Sequence, residues 1–248
     1  MAKAGGWALP VDGVSIVVPV FNEGENVVEL TGRLNAVFAG RAEPCEIVFA
    51  DDSTDETTAL LAALAGAPGR CRVRVLHREE RGLATAVALG IRAAAYPRIV
   101  VMDADLQHPP EVVPQLLDAL DAGADLAAAG RFVPGGGAQM SPLRTRTSRA
   151  CSRFATLLLP ALRPLCDVTS GFFAFRREIV DGVELRPLGW KILIEILARG
   201  RAARVVEIPY VFAARVRGAS TLSAREALLF VRHLLRLRRE TGGKHVRG

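Results

Sequence analysis

Cysteine is scarce. The chain has four, Cys45, Cys71, Cys151 and Cys166, scattered through 248 residues with no Cys-x-x-Cys pair. That spacing excludes the common zinc patterns and a disulfide framework, and it predicts a chain suited to a reducing compartment. Long apolar runs are missing too. No stretch approaches the roughly 20 apolar residues that a spanning helix needs. The longest candidate, residues 154–166, is broken by Pro160, Arg163 and Pro164. The opening MAKAGGWALPVDG carries no apolar core, so no secretory signal is expected. Aromatic residues make up only 6% of the chain, and none forms a stacking platform beside the basic residues. This weighs against nucleic-acid binding as the rival reading of the basic charge.

Half of the residues are apolar and 23% are charged, enough to bury a core and too ordered a balance for a disordered chain. The net charge of +6 is unevenly placed. Residues 201–248 hold 11 Lys or Arg against 3 Asp or Glu, and the rest of the chain is slightly acidic. A basic block of this kind attracts phosphates, anionic lipid or nucleic acid.

Short β-branched runs alternate with stretches of helical period. Strands are expected at 14–20, 46–50, 72–76, 98–102 and 125–129. Helices are expected at 25–38, from the DDSTDETT caps to Leu64, over GLATAVALGIRAAA, and at 111–120. Such alternation predicts a mostly parallel sheet with helices on both faces. After Gly130 the rhythm changes to a Gly/Pro loop, RFVPGGGAQMSP, then a basic Ser/Thr-rich stretch. A strand at 171–175, a helix at 190–198, a strand region at 204–212 and a closing helix at 223–239 follow. In that last helix Arg225, Arg232, Arg236 and Arg239 share one face, and Leu228, Val231, Leu234 and Leu235 another. A basic amphipathic helix of this kind suits a membrane surface, with packing on the domain as the alternative.

In open parallel sheets ligands bind beyond the C-terminal strand ends. Three polar clusters fall there: PVFNEGEN, Asp51-Asp52-Ser53, and Asp103-Ala104-Asp105-Leu106-Gln107-His108. Each alone reads as capping or turn chemistry. Together they read as a site. Asp103, Asp105 and the Gln107 carbonyl offer hard oxygen ligands for Mg²⁺ or Mn²⁺, bound jointly with substrate phosphates. His108, beside two prolines, reads as structural.

IVVPVFNEGENV, FADDSTDET, RGLATAVALGI, VMDADLQHPPE, GRFVPGG, DVTSGFFAFRR, GWKILIEIL and RGASTL occur in an order that resembles family 2 glycosyltransferases, and within them the dolichol/polyprenol phosphate mannose synthases. The resemblance covers roughly residues 13–222 and implies an α/β GT-A fold there, with 1–12 and 241–248 as tails and 223–240 as an appended helix. It implies nucleotide binding by Pro19, Val20, Asn22, Glu23, Asp52, Asp103 and Ala104, and metal binding by Asp103, Asp105 and Gln107. Arg131, Arg144, Arg146, Ser148 and Arg215 would meet the acceptor phosphate, on a loose alignment with one residue missing. Ser170, Gly171, Trp190, Lys191 and Glu195 would shape the donor pocket. Glu195 also stands one helical turn from Lys191, where an i,i+4 ion pair is the simpler reading. Asp105, Arg131 and Arg215 would carry catalysis.

The implied activity is inverting transfer of mannose from GDP-mannose to a polyprenyl phosphate, at the cytoplasmic face of a membrane. A hexose from a UDP-sugar is the alternative, and a separate membrane protein is a possible partner. Two departures stand out. Thr221 replaces the family's usual lysine, with Arg217 nearby to compensate, and Phe173 stands where many relatives have a basic residue.

Overall fold

The computed structural model describes residues 12–214 and 224–242. The apolar runs form the expected strands: β1 (Val14–Val20), β2 (Cys45–Asp51), β3 (Arg72–His77), β4 (Arg98–Val101), β5 (Leu126–Gly130), β7 (Phe173–Arg176) and β8 (Val205–Pro209). They make one seven-stranded sheet in the order β3-β2-β1-β4-β7-β5-β8. Neighbours are parallel except β7, which runs antiparallel between β4 and β5. The expected strand at 204–212 divides at Pro209, and β9 (Val211–Phe212) leaves to pair with β6 (Gly137–Ala138), inside the Gly/Pro loop.

Helices α1 (Gly24–Phe38), α2 (Thr57–Gly66) and α4 (Val113–Asp121) cover one face of the sheet. Helices α3 (Leu83–Ala93), α5 (Pro142–Leu158), α6 (Ile192–Arg199) and α7 (Ala224–Thr241) cover the other. Strand residues alternate between the two cores: Ile16 and Val18 face the first, Val17 the second. A Cβ on Gly90 would lie 2.4 Å from Val17 Cγ1, so the bare glycine lets α3 press against β1.

The basic Ser/Thr-rich stretch is α5. No helix was expected there; Ser141 accepts from the Arg144 N–H as N-cap, and Pro142 occupies the first turn. In α7, Leu234 and Leu237 are buried on the domain, while Leu228, Val231 and Leu235 stay exposed. Leu234 therefore does not share a face with Leu228, Val231 and Leu235, as its spacing had suggested.

The expectation of unpaired cysteines is corrected. Cys45 and Cys71 form a disulfide. Glu46 pairs with Arg72 across β2 and β3, so the residues just before them sit level on adjacent chains. Cys151 and Cys166 are free. No helix among the described residues is long and apolar enough to cross a membrane.

This topology gathers the site. The C-terminal ends of β1, β2, β4, β5 and β8 point the same way. Because β7 is antiparallel and Val101 pairs with Phe173, the residues leading into β7 arrive at that same edge. The SGF segment is thereby brought to the end of β4.

Candidate active site

The first rim lies at the ends of β1 and β2. Asn22 adopts φ 55°, a left-handed conformation that asparagine tolerates better than most residues. Its backbone N–H donates to Ser53 Oγ at 2.9 Å, and its side-chain oxygen accepts from Thr54 N–H at 3.0 Å. Pro19 and Val20 are buried in the strand behind it. Glu23 accepts from Asn26 Nδ2 at 2.6 Å. The Asp52 carboxylate accepts from the Gly82 N–H at 2.9 Å and faces Arg78 Nε at 3.4 Å. Arg81 lies 3.6 Å above the Phe21 ring. Asp51 turns inward. Burial acts to raise its pKa, and hydrogen bonds with Ser53, Thr58 and His77 outweigh that and hold it below the usual carboxylate range. Sequence reasoning missed Phe21, which directly follows β1, and Arg78 and Arg81, which the segment after β3 brings to this rim.

The second element is the turn after β4. Leu106 sits at φ 62°, an uncommon conformation for a bulky residue that often marks a functional turn. Asp105 is 5% exposed and accepts from the Gln107 N–H at 3.1 Å. The Asp103 side chain is more open, at 35%. Gln107 donates through Nε2 to the Ala213 carbonyl at 3.0 Å, which fixes its amide and ties the turn to the chain after β9. His108 is structural, as its setting suggested. Nδ1 accepts from the Asp103 N–H at 3.0 Å, and the ring stacks on Phe172 with centroids 5.2 Å apart. Burial pulls its pKa down to about 4, so the ring is neutral at neutral pH.

Ala104 is buried between the two aspartates. A Cβ on Gly171 would lie 3.2 Å from Asp103 Oδ2, so the glycine admits the SGF segment against the acidic pair. Ser170 Oγ bonds the backbone of Phe172 and shapes that approach. Among the described residues no three His, Cys, Asp or Glu side chains converge as a metal cage. Two carboxylate residues, one buried and one open, suit a hard cation that completes its shell with substrate oxygens.

The third element is Arg131, just beyond β5. Its guanidinium is forked onto Asp167, with Nε 2.6 Å from Oδ2 and an Nη 2.8 Å from Oδ1. It also donates to Ser148 Oγ at 3.1 Å and Thr169 Oγ1 at 3.0 Å. Burial acts to raise the Asp167 pKa, but the Arg131 bond and charge win and hold it low. Phe132 lies between two guanidiniums, 5.1 Å from Arg131 and 4.9 Å from Arg149. Ser148 thus joins the Arg131 cluster. Arg144 is half-buried in the first turn of α5, and Arg146 is exposed further along it. Asp167 was overlooked as a site residue, although it opens the DVTSGF segment.

Lys191 is 8% exposed, donates to the Thr169 carbonyl and lies 3.6 Å over the Trp190 ring. Burial, reinforced by the Arg131 charge, pulls its pKa down to about 7. Glu195 requires a correction. It neither pairs with Lys191 nor reaches the acidic turn. It is fully buried between α6 and α7, accepting from Arg199 Nε at 2.6 Å and meeting His233 Nε2 at 2.6 Å. The i,i+4 partner it takes lies on the C-terminal side, where cations also meet the helix dipole favourably. Arg215, Arg217 and Thr221 lie outside the described residues.

The chain matches the model of Glycosyl transferase family 2 over residues 15–183. It is 41% identical over 231 residues to a dolichol-phosphate mannosyltransferase of Pyrococcus furiosus, an alignment that takes in 92% of this chain and 64% of that protein. The chain thus spans less than two thirds of that relative's length. It is 34% identical over 238 residues to a polyprenol monophosphomannose synthase of Mycolicibacterium smegmatis, covering 90% of this chain and 86% of that one. Among solved structures it resembles glucosyl-3-phosphoglycerate synthase of Mycobacterium tuberculosis in complex with Mn²⁺, uridine diphosphate and glucosyl-3-phosphoglycerate. That match has a TM-score of 0.65 at 20% identity, over 97% of this chain and 86% of the other, and establishes a shared fold.

Proposed function

The chain belongs to glycosyl transferase family 2, and on that premise we propose that it transfers mannose from GDP-mannose to a polyprenyl phosphate with inversion at the anomeric carbon. The observation that carries this reading is the meeting, at one sheet edge, of an acidic pair with a buried, carboxylate-locked arginine. The names of the two relatives supply mannose and the polyprenyl-type acceptor.

The residues divide the work by charge. Asn22, Glu23, Asp52 and the Phe21–Arg81 stack form the nucleoside rim. Asp103 and Asp105 would hold Mg²⁺ or Mn²⁺ against the diphosphate, where the cation supplies Lewis-acid stabilisation of the leaving group. The fold relative with Mn²⁺ and uridine diphosphate supports a divalent ion in this role. Arg131, with Ser148 and the arginines of α5, binds the acceptor phosphate. A phosphate monoester is already ionised near neutral pH, so its oxygen attacks without a strong general base. Arg131 is already fixed by Asp167, so little reorganisation is needed as charge redistributes. Asp105 and Arg131 act at the reacting groups, and Arg215 is assigned with them from the family pattern.

The acceptor's prenyl chain needs an apolar exit, and the surface beside α5 offers one. Leu143, Phe154 and Leu157 on α5, and Leu228, Val231 and Leu235 on α7, are exposed. Exposed arginines, including Arg153 and Arg232, stand among them. This favours a peripheral position on anionic lipid at the cytoplasmic face, with or without a membrane-protein partner.

A thermal-shift titration with GDP and UDP, with and without Mn²⁺, tests the donor half. Stabilisation by GDP that is strengthened by Mn²⁺ and lost in Asp103→Asn is expected. A response to UDP alone would move the donor to a UDP-sugar, and no response to either would remove the nucleotide site.

A further inference from the structure

Glu207 lies on the edge strand β8, opposite Ala128 of β5, on the face of the sheet that carries α5. A carboxylate there needs partners, and two backbone N–H groups are among them. Glu207 Oε2 accepts from the Cys166 N–H at 2.6 Å, and Oε1 accepts from the Asp167 N–H at 2.9 Å. The neighbouring residue on β5 makes room for this. A Cβ on Gly130 would lie 2.8 Å from Glu207 Oε1. Burial, with the nearby Asp167 charge also acting upward, raises the Glu207 pKa. The strand therefore holds a carboxylate against another carboxylate's backbone. An arrangement that works against its own ionisation is more than surface decoration.

Asp167 in turn is fully buried, and both its oxygens are used by Arg131, with Thr169 Oγ1 adding a bond at 3.0 Å. The position of its carboxylate is set by its own main chain, and that main chain is held by Glu207.

We propose that Glu207 is a positioning residue for the acceptor phosphate: it clamps the 166–167 backbone, the clamp aims Asp167, and Asp167 aims the Arg131 guanidinium. This rests on the assignment of Arg131 to the acceptor. Glu207 itself touches neither substrate.

Glu207→Gln keeps the shape but turns one acceptor into an amide donor facing a backbone N–H. The expected result is an acceptor KM raised about ten-fold with the donor KM nearly unchanged. The double variant with Asp167→Asn should be no worse than Asp167→Asn alone, since both act through one chain of contacts. Gly130→Ala, which crowds Glu207 from the other side, should give the same acceptor-selective defect, and it serves if Glu207→Gln folds poorly.

A readout independent of turnover separates this idea from the proposed function. Modification of Arg131 by phenylglyoxal, followed by mass spectrometry, should rise about five-fold in Glu207→Gln, while that of the distant Arg33 stays constant. Unchanged Arg131 labelling overturns the clamp whatever the enzyme transfers. Equal loss in donor and acceptor KM, or additive loss in the double variant, also overturns it. Increased labelling in a protein whose wild type transfers to no lipid phosphate would keep the clamp and reject the acceptor assignment.

Discussion

Asp105 is nearly closed off and accepts from the Gln107 N–H within its turn, whereas the Asp103 side chain is more open. Asp105→Ala should cost about 1–3 kcal/mol of stability, read as melting temperature, and lower turnover by about three orders of magnitude, read as kcat on the folded protein. Arg131 is a different case, because it is nine-tenths buried and forked onto Asp167. Asp167→Leu strands a buried guanidinium and should destabilise the fold by about 3–5 kcal/mol in urea unfolding. Lys191 adds a pH signature. Its folded pKa, about 7, lies below the ordinary lysine value of 10.5. Between these values the unfolded chain binds more protons, so stability from this group is full above the upper value and is lost as pH falls towards the lower. Unfolding of wild type against Lys191→Met should show the wild type gaining ground from about pH 7 to pH 10. A constant difference across that window would contradict the shift. The acidic turn was legible from sequence because Asp103 and Asp105 are local. Asp167 was not, because its importance comes from a partner 36 residues away.

The strands and helices follow the apolar periods closely: β1 and β2 are buried apolar runs, and α1 and α4 carry buried stripes. What the periods could not carry was pairing between distant segments. The antiparallel insertion of β7 and the level placement of Cys45 and Cys71 exist only once strands choose neighbours. Glu195 shows the same limit on helices. Local spacing offered Lys191, and the fold supplied Arg199 in the same helix and His233 from α7. At this scale Gly90→Val should force α3 away from β1 and lower stability by about 1–3 kcal/mol, measured as a reduced urea midpoint. On the open faces of α5 and α7 the opposite holds. Leu157 is 77% and Leu228 is 69% exposed, so replacing both with glutamate should leave the melting temperature nearly unchanged. The same change should weaken sedimentation with anionic vesicles about ten-fold. Unaltered vesicle binding would mean that these helices meet something other than lipid.

Across the whole molecule the charge is divided. The region carrying the strand ends is slightly acidic, and the last fifth of the sequence is strongly basic. The division fits a protein that brings a cation and a nucleotide to one edge while its C-terminal segment faces an anionic surface. The measurement that tests this account most directly is transfer itself. Purified protein would be incubated with Mn²⁺ or Mg²⁺, a polyprenyl phosphate and labelled GDP-mannose, and the label followed into the organic phase. The account predicts metal-dependent transfer from GDP-mannose that disappears in Asp105→Ala. Protein that binds GDP yet moves no label to the lipid, with either metal, would contradict it.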